Sequence, residues 1–138
     1  MDLKKYTLED LLLAAMKSEV ESNMIYKKIA KKVKNGLLKD KLEFLAKEEE
    51  KHRQFVEQIY RKKFPGKKLV LPKVTPVPLP QLIVSDEDTP LGTMLKNSMN
   101  AEQAAHDFYK SLSKQFTEDA MIRNTLSYFA DMELQHFK

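Results

Sequence analysis

Apolar residues recur along this chain in alternating steps of three and four, the period of an amphipathic helix. The first stripe runs Leu8, Leu12, Ala15, Glu19, Ser22, Tyr26, Ile29 and Val33. Thr7 before it has the short oxygen-bearing side chain that caps a helix N-terminus, and Asn35-Gly36 after it reads as a helix stop. A second stripe follows as Leu38, Leu42, Leu45, Glu49, His52, Val56 and Ile59, ending near Phe64-Pro65-Gly66. A turn of about two or three residues at Asn35-Gly36 makes the two helices antiparallel neighbours.

Residues 65–89 break the period. They hold five of the six prolines, and proline both fixes φ and lacks the backbone donor that a helix needs. The run reads as an extended crossover along the outside of the domain, with Leu69, Val70, Leu71 and the aliphatic residues after them seeking cover. Thr89-Pro90 then starts a third helix, with proline at its first position. Its stripe is Leu91, Leu95, Ser98, Glu102, Ala105, Tyr109, Leu112 and Phe116. Thr117 caps a fourth helix whose stripe is Ile122, Leu126, Phe129, Glu133 and His136. That stripe breaks off at Lys138, short of its counterpart, so the missing turns are expected beyond this sequence or from another element.

The third helix superimposes on the first at an offset of 83 residues: Leu8 on Leu91, Leu12 on Leu95, Met16 on Met99, Glu19 on Glu102 and Tyr26 on Tyr109. The fourth superimposes on the second at an offset of 84: Leu42 on Leu126, Ala46 on Ala130, Glu49 on Glu133 and His52 on His136. The chain is therefore a hairpin repeated. The expected fold is a single all-α domain over residues 1–138, an antiparallel four-helix bundle with hairpins at 7–64 and 90–138 joined by the crossover at 65–89.

Composition narrows the chemistry. A hydrophobic content of 42% suffices for one core, and 32% charged residues with few glycines favour helix. The absence of cysteine excludes disulfides, thiolate metal sites and cysteine nucleophiles. The LLLAAM run after Asp10 is too short for a signal segment or a membrane span, so a soluble cytoplasmic protein with no membrane partner is expected. The net charge of +4 is moderate, and lysines do not interleave with aromatics in a nucleic-acid reading pattern, so no nucleic-acid partner is expected.

The stripes place four glutamates and two histidines where their apolar neighbours imply burial. Four bare carboxylates in one core repel one another and lose their hydration. Two divalent ions carry the charge that balances them, leaving both imidazoles neutral and able to ligate. In each Glu-x-x-His pair one helical turn brings the two side chains to the same face, so they can hold an ion between them. A shell rich in oxygen, with a single imidazole for each ion, suits iron or manganese, or a mixed pair, better than zinc. The methionines read as core filler, since thioethers suit softer metals. Glu48 and Glu50 read as a solvated charged face. His106, one turn after Glu102, could be a surface residue, a partner of a ligand, or an additional metal ligand.

One glutamate from each of two helices and a Glu-x-x-His from each of the other two is the ligand pattern of di-iron carboxylate bundles. On these residues the chain resembles the ferritin-like superfamily, specifically the rubrerythrin-type four-helix domain, over both hairpins. The resemblance implies Glu19 and Glu102 as terminal carboxylates, Glu49 and Glu133 as bridging carboxylates, and His52 and His136 as imidazole ligands. It implies Tyr26 and Tyr109 as the tyrosines that hydrogen-bond to site carboxylates. The sequence departs from the family pattern at Ala105, where an additional carboxylate is usual, and in lacking a Cys-rich rubredoxin domain.

The resemblance implies a di-iron oxidoreductase, a peroxidase that reduces peroxide or dioxygen with electrons from a separate donor such as a rubredoxin-like protein. Two other functions fit the sequence: a ferroxidase for iron storage, which needs assembly into a shell, and a metal-free helical interaction module, against which the full ligand set argues. A homodimer is expected. The stiff crossover, about 25 residues long and able to reach roughly 80 Å, also permits dimers in which hairpins are exchanged between chains.

Overall fold

A computed structural model describes Leu3, residues 5–73 and residues 90–135. Among these residues the secondary structure is entirely helical: α1 Leu8–Lys32, α2 Gly36–Lys63, α3 Leu91–Ser113 and α4 Ala120–Gln135. Thr7 caps α1 as its sequence predicts, its hydroxyl oxygen accepting from the Asp10 N–H at 3.1 Å. Helices α1 and α2 pack together along their lengths, as do α3 and α4, and α1 lies against α3.

Three boundaries differ from the sequence expectation. Asn35-Gly36 does not stop α1, which ends at Lys32 with Val33 as its cap. Instead the Asn35 side chain accepts from the Leu38 N–H at 3.1 Å and starts α2. A glycine stop requires positive φ, and only Gly66, at φ 80, adopts it among the described residues. Thr117 does not cap α4; Asp119 does, accepting from the Ile122 N–H at 3.1 Å. Pro90 precedes the first residue of α3 rather than occupying it.

The predicted stripes face inward. Along α1, every stripe residue from Leu12 to Val33 is buried, and along α2 every one from Leu42 to Ile59. The core is split into two apolar clusters. One gathers the N-terminal part of α1 with the C-terminal part of α2, including Leu11, Leu12, Val56 and Ile59, and with Phe108, Leu112, Ile122 and Leu126 from the second hairpin. The other gathers Ile25, Ile29, Leu42 and Leu45 with Met94. Between them lies a polar layer of buried glutamates, serines and His52.

The crossover begins as an anchored strap. The Lys67 ammonium lies 2.8 Å from Glu9 Oε1 in the first turn of α1, and the Tyr60 hydroxyl donates to Glu9 Oε2 at 2.7 Å. Leu69 packs against the first cluster, but Val70 and Leu71 stay exposed, so the expected cover is only partial up to Lys73. The remaining crossover residues, 74–89, lie outside the described residues.

The methionines depart from the core-filler expectation: Met16 and Met94 are buried, whereas Met24, Met99 and Met121 are at least half exposed. Met16 and Met99 match in the repeat but sit one step off their stripes. What covers such positions is set by neighbours outside the hairpin, and the repeat does not fix those.

Candidate metal centre

The polar layer is built where the stripes would otherwise continue with leucine. Glu19 of α1, Glu49 and His52 of α2 and Glu133 of α4 are each at most 2% exposed. Each offers a ligand atom, and these atoms all lie within 4.8 Å of one another. His52 and Glu49 share a face because three residues make nearly one helical turn. His52 Nδ1 faces the carboxylates, 3.1 Å from Glu133 Oε1 and 3.6 Å from Glu19 Oε1. The ring is held in that orientation by stacking on Phe129, at 4.0 Å between centroids, and by the edge of Tyr109.

Glu102 of α3 joins the group from the side, sharing a hydrogen bond with Glu133. Two tyrosines cross between the hairpins. Tyr26 of α1 donates to Glu102 Oε1, and Tyr109 of α3 donates to Glu19 Oε1. Each tyrosine lies two turns after its own helix's glutamate yet bonds to the other helix's glutamate. Helices α1 and α3 are therefore antiparallel, and the pair of bonds obeys the pseudo-twofold of the repeat.

The electrostatics are those of carboxylates crowded together in a buried layer. Burial pushes the Glu49 carboxyl well above the usual carboxylate range, and the charges of Glu19 and Glu133 push it further. Glu133 is raised in the same way, first by burial, then by its hydrogen bond with Glu102 and the charge of Glu19. Burial, reinforced by the adjacent glutamates, also raises the Tyr26 and Tyr109 phenols, so both stay protonated and act only as donors here. The buried atoms Glu19 Oε2 and His52 Nε2 have no hydrogen-bond partner among the described residues. An oxygen-rich donor set with one imidazole, in mutual repulsion and with unmet polar atoms, fits divalent iron or manganese.

Of the residues predicted from sequence, Glu19, Glu49, His52 and Glu133 come together, with Glu102, Tyr26 and Tyr109 in direct contact with them. His136 lies outside the described residues. His106 is not in the group; it is half-buried and bonds through Nδ1 to the Ala130 carbonyl at 2.7 Å. Glu48 and Glu50 form the charged face, paired with Lys51 and Arg53. Asn23 was not singled out by its sequence, because an isolated polar residue off the stripe looks like ordinary surface. Its Nδ2 donates to the Ala46 carbonyl at 2.7 Å.

A family model described as Rubrerythrin matches residues 10–138. Among solved structures, a hypothetical protein from Pyrococcus furiosus is similar, with 31% sequence identity and a TM-score of 0.80, the match covering 99% of this chain and 87% of that one. No curated protein matches. Among the described residues no helix is long and apolar enough to cross a membrane.

Proposed function

Because the chain belongs to the rubrerythrin family, we propose that its buried Glu/His group holds two iron ions and serves to reduce peroxide with electrons from a separate protein. The observation that carries this reading is the convergence of Glu19, Glu49, His52 and Glu133, all buried, with ligand atoms within 4.8 Å of one another. When bound, a ferrous pair would supply the two electrons that, with two protons, convert hydrogen peroxide to two molecules of water. The chain's own residues define the setting. Glu49 and Glu133 would serve as the shared carboxylates, Glu19 and Glu102 would flank them, and His52 Nδ1 would complete one side, with His136 proposed for the other.

Tyr26 and Tyr109 orient the flanking carboxylates and keep their own protons. The two apolar clusters exclude bulk water on either side, which strengthens every charge interaction in the layer. Anaerobic loading with ferrous iron followed by peroxide titration tests the reading. One peroxide is expected to be consumed for every two ferrous ions, with regeneration on addition of reductant. Iron uptake that continues far beyond the site, into a mineral, would favour storage instead.

The donor is proposed to dock at the end of the first hairpin. Residues 27–47 contain eight lysines against Asp40 and Glu43, a local +6 in a chain of +4. Exposed Lys34, Lys39 and Lys41 lie in the same stretch as Leu37 and Phe44, which are 84% and 57% exposed. An acidic redox protein with an apolar centre suits this surface. Reduction by such a donor should slow steeply as salt rises, because surface charges are screened beyond about 10 Å at 0.1 M. A rate indifferent to salt would remove the docking surface from the account.

Assembly is tested by mixing. Within this chain α1, α2 and α4 already bring the candidate ligands together, and a homodimer is proposed in which hairpins can also be exchanged. If Glu49→Ala and Glu133→Ala chains are unfolded and refolded together, an exchanged dimer places both lesions in one site and leaves the other intact, restoring activity. Without exchange every site keeps a lesion, and no activity should return.

A further inference from the structure

We infer that Asn23 and His106 are a matched pair of positioning residues, each fixing the height of the helical turn that presents a site glutamate. The inference rests on the metal reading above, and what carries it is a repeated bond. Asn23 Nδ2 donates to the Ala46 carbonyl at 2.7 Å, and His106 Nδ1 bonds to the Ala130 carbonyl at the same distance. A carbonyl can only accept, so Nδ1 of His106 carries the hydrogen. His106 lies 83 residues after Asn23 and Ala130 lies 84 after Ala46, the same offsets that superimpose the two hairpins. The two donors differ in residue type and occupy equivalent places. A sequence comparison sees asparagine against histidine; the fold sees one hydrogen bond made twice.

The acceptors explain why the bond forms at these positions. Ala46 and Ala130 are each 2% exposed, and a methyl side chain leaves the helix backbone open to a side chain from the facing helix. A larger residue would cover the carbonyl. Both carbonyls lie inside helices, where the ladder of their own helix already provides a donor four residues on. The added bond is therefore not required to satisfy the backbone, and an apolar side chain could fill the same seam. What the bond adds is direction, since an apolar contact tolerates sliding and a hydrogen bond does not.

The place where sliding matters is one turn further on. Glu49 follows Ala46 by three residues, and Glu133 follows Ala130 by three. Slippage by one residue moves a helix about 1.5 Å along its axis and turns it by about 100°. A metal constellation tolerates displacements of only about 0.5 Å. The Asn23 and His106 bonds lock α1 to α2 and α3 to α4, and the Tyr26 and Tyr109 bonds lock α1 to α3. Together they fix the relative heights of all four helices at the level of the carboxylates.

Cobalt(II) titration of the full chain, read by visible absorption well below every variant's melting temperature, tests the inference. His106→Leu and Asn23→Leu are each expected to weaken cobalt binding about tenfold and to shift the absorption bands, the scale at which supporting residues act on a metal site. His106→Asn installs the donor that position 23 already uses, and should keep the wild-type spectrum with affinity within about twofold. The interchange variant Asn23→His/His106→Asn should do the same. Leucine variants with wild-type affinity and spectrum would overturn the inference, since loss of packing alone leaves the bands in place. Failure of His106→Asn to rescue would overturn it as well, by making the imidazole itself the requirement. If His106→Leu does not fold, Asn23→Leu and His106→Asn decide the matter. Wild-type protein that takes up no cobalt would remove the metal reading and this inference with it.

Discussion

Stripped of metal, the protein is expected to be more stable at about pH 5 than at about pH 8, the reverse of its metal-loaded form. The Glu49 and Glu133 carboxyls are raised in the fold, by burial first and then by their neighbouring glutamates. An unfolded glutamate titrates near pH 4.3, roughly the value for a free side chain. Above that pH the unfolded chain releases protons that the folded, metal-free site retains, so each unit of pH rise costs about 1.4 kcal/mol per group until the folded carboxyl itself ionises. Stability is thus fully present below the unfolded value and declines as pH rises. With metal bound the sign inverts, because protons compete with metal for the same oxygens and the metal's contribution disappears as pH falls. Thermal melts of chelated and loaded protein across this range provide the check. A metal-free melting temperature that climbs from pH 5 to pH 8 would contradict the account.

Glu49→Gln should separate stability from metal binding. The amide keeps the shape of the side chain but removes a carboxylate that the charges of Glu19 and Glu133 oppose. In the metal-free protein near neutral pH this should stabilise the fold by about 0.5–3 kcal/mol, the usual scale of a single substitution. In the presence of metal the same variant should lose most of the metal-induced rise in melting temperature, since the shared carboxylate between the helices is gone. The two effects have opposite signs in a single protein, which ordinary damage to a core cannot imitate. A variant that is destabilised without metal and still gains fully from it would show that Glu49 is a packing residue.

Much of the site was legible because helix geometry leaves little choice. A glutamate at the centre of an apolar stripe must point inward, as Glu19 and Glu102 do, and Glu-x-x-His must share a face, as Glu49 and His52 do. The boundaries were less legible because their signals are shared. Asn-Gly can end a helix through a glycine at positive φ or begin one through an asparagine cap, and the backbone at Gly36 takes the second course. Thr117, Glu118 and Asp119 offer competing oxygens before α4, and only the register of Ile122 selects Asp119. Asn23 was illegible for a different reason. Its partner is a backbone carbonyl on another helix, and sequence carries no mark of which carbonyl a neighbouring helix will present.

The metal content of the protein decides the central claim most directly. The chain loaded anaerobically with ferrous iron and freed of excess should retain about two ions per four-helix site, as the pairing of four carboxylates with two divalent ions requires. Glu48→Ala, which alters only the charged face, should retain the same number, while Glu49→Ala and Glu133→Ala should each fall to about one or fewer. Equal loading of all four proteins, or no retained iron in any, would contradict a metal centre built on Glu49 and Glu133.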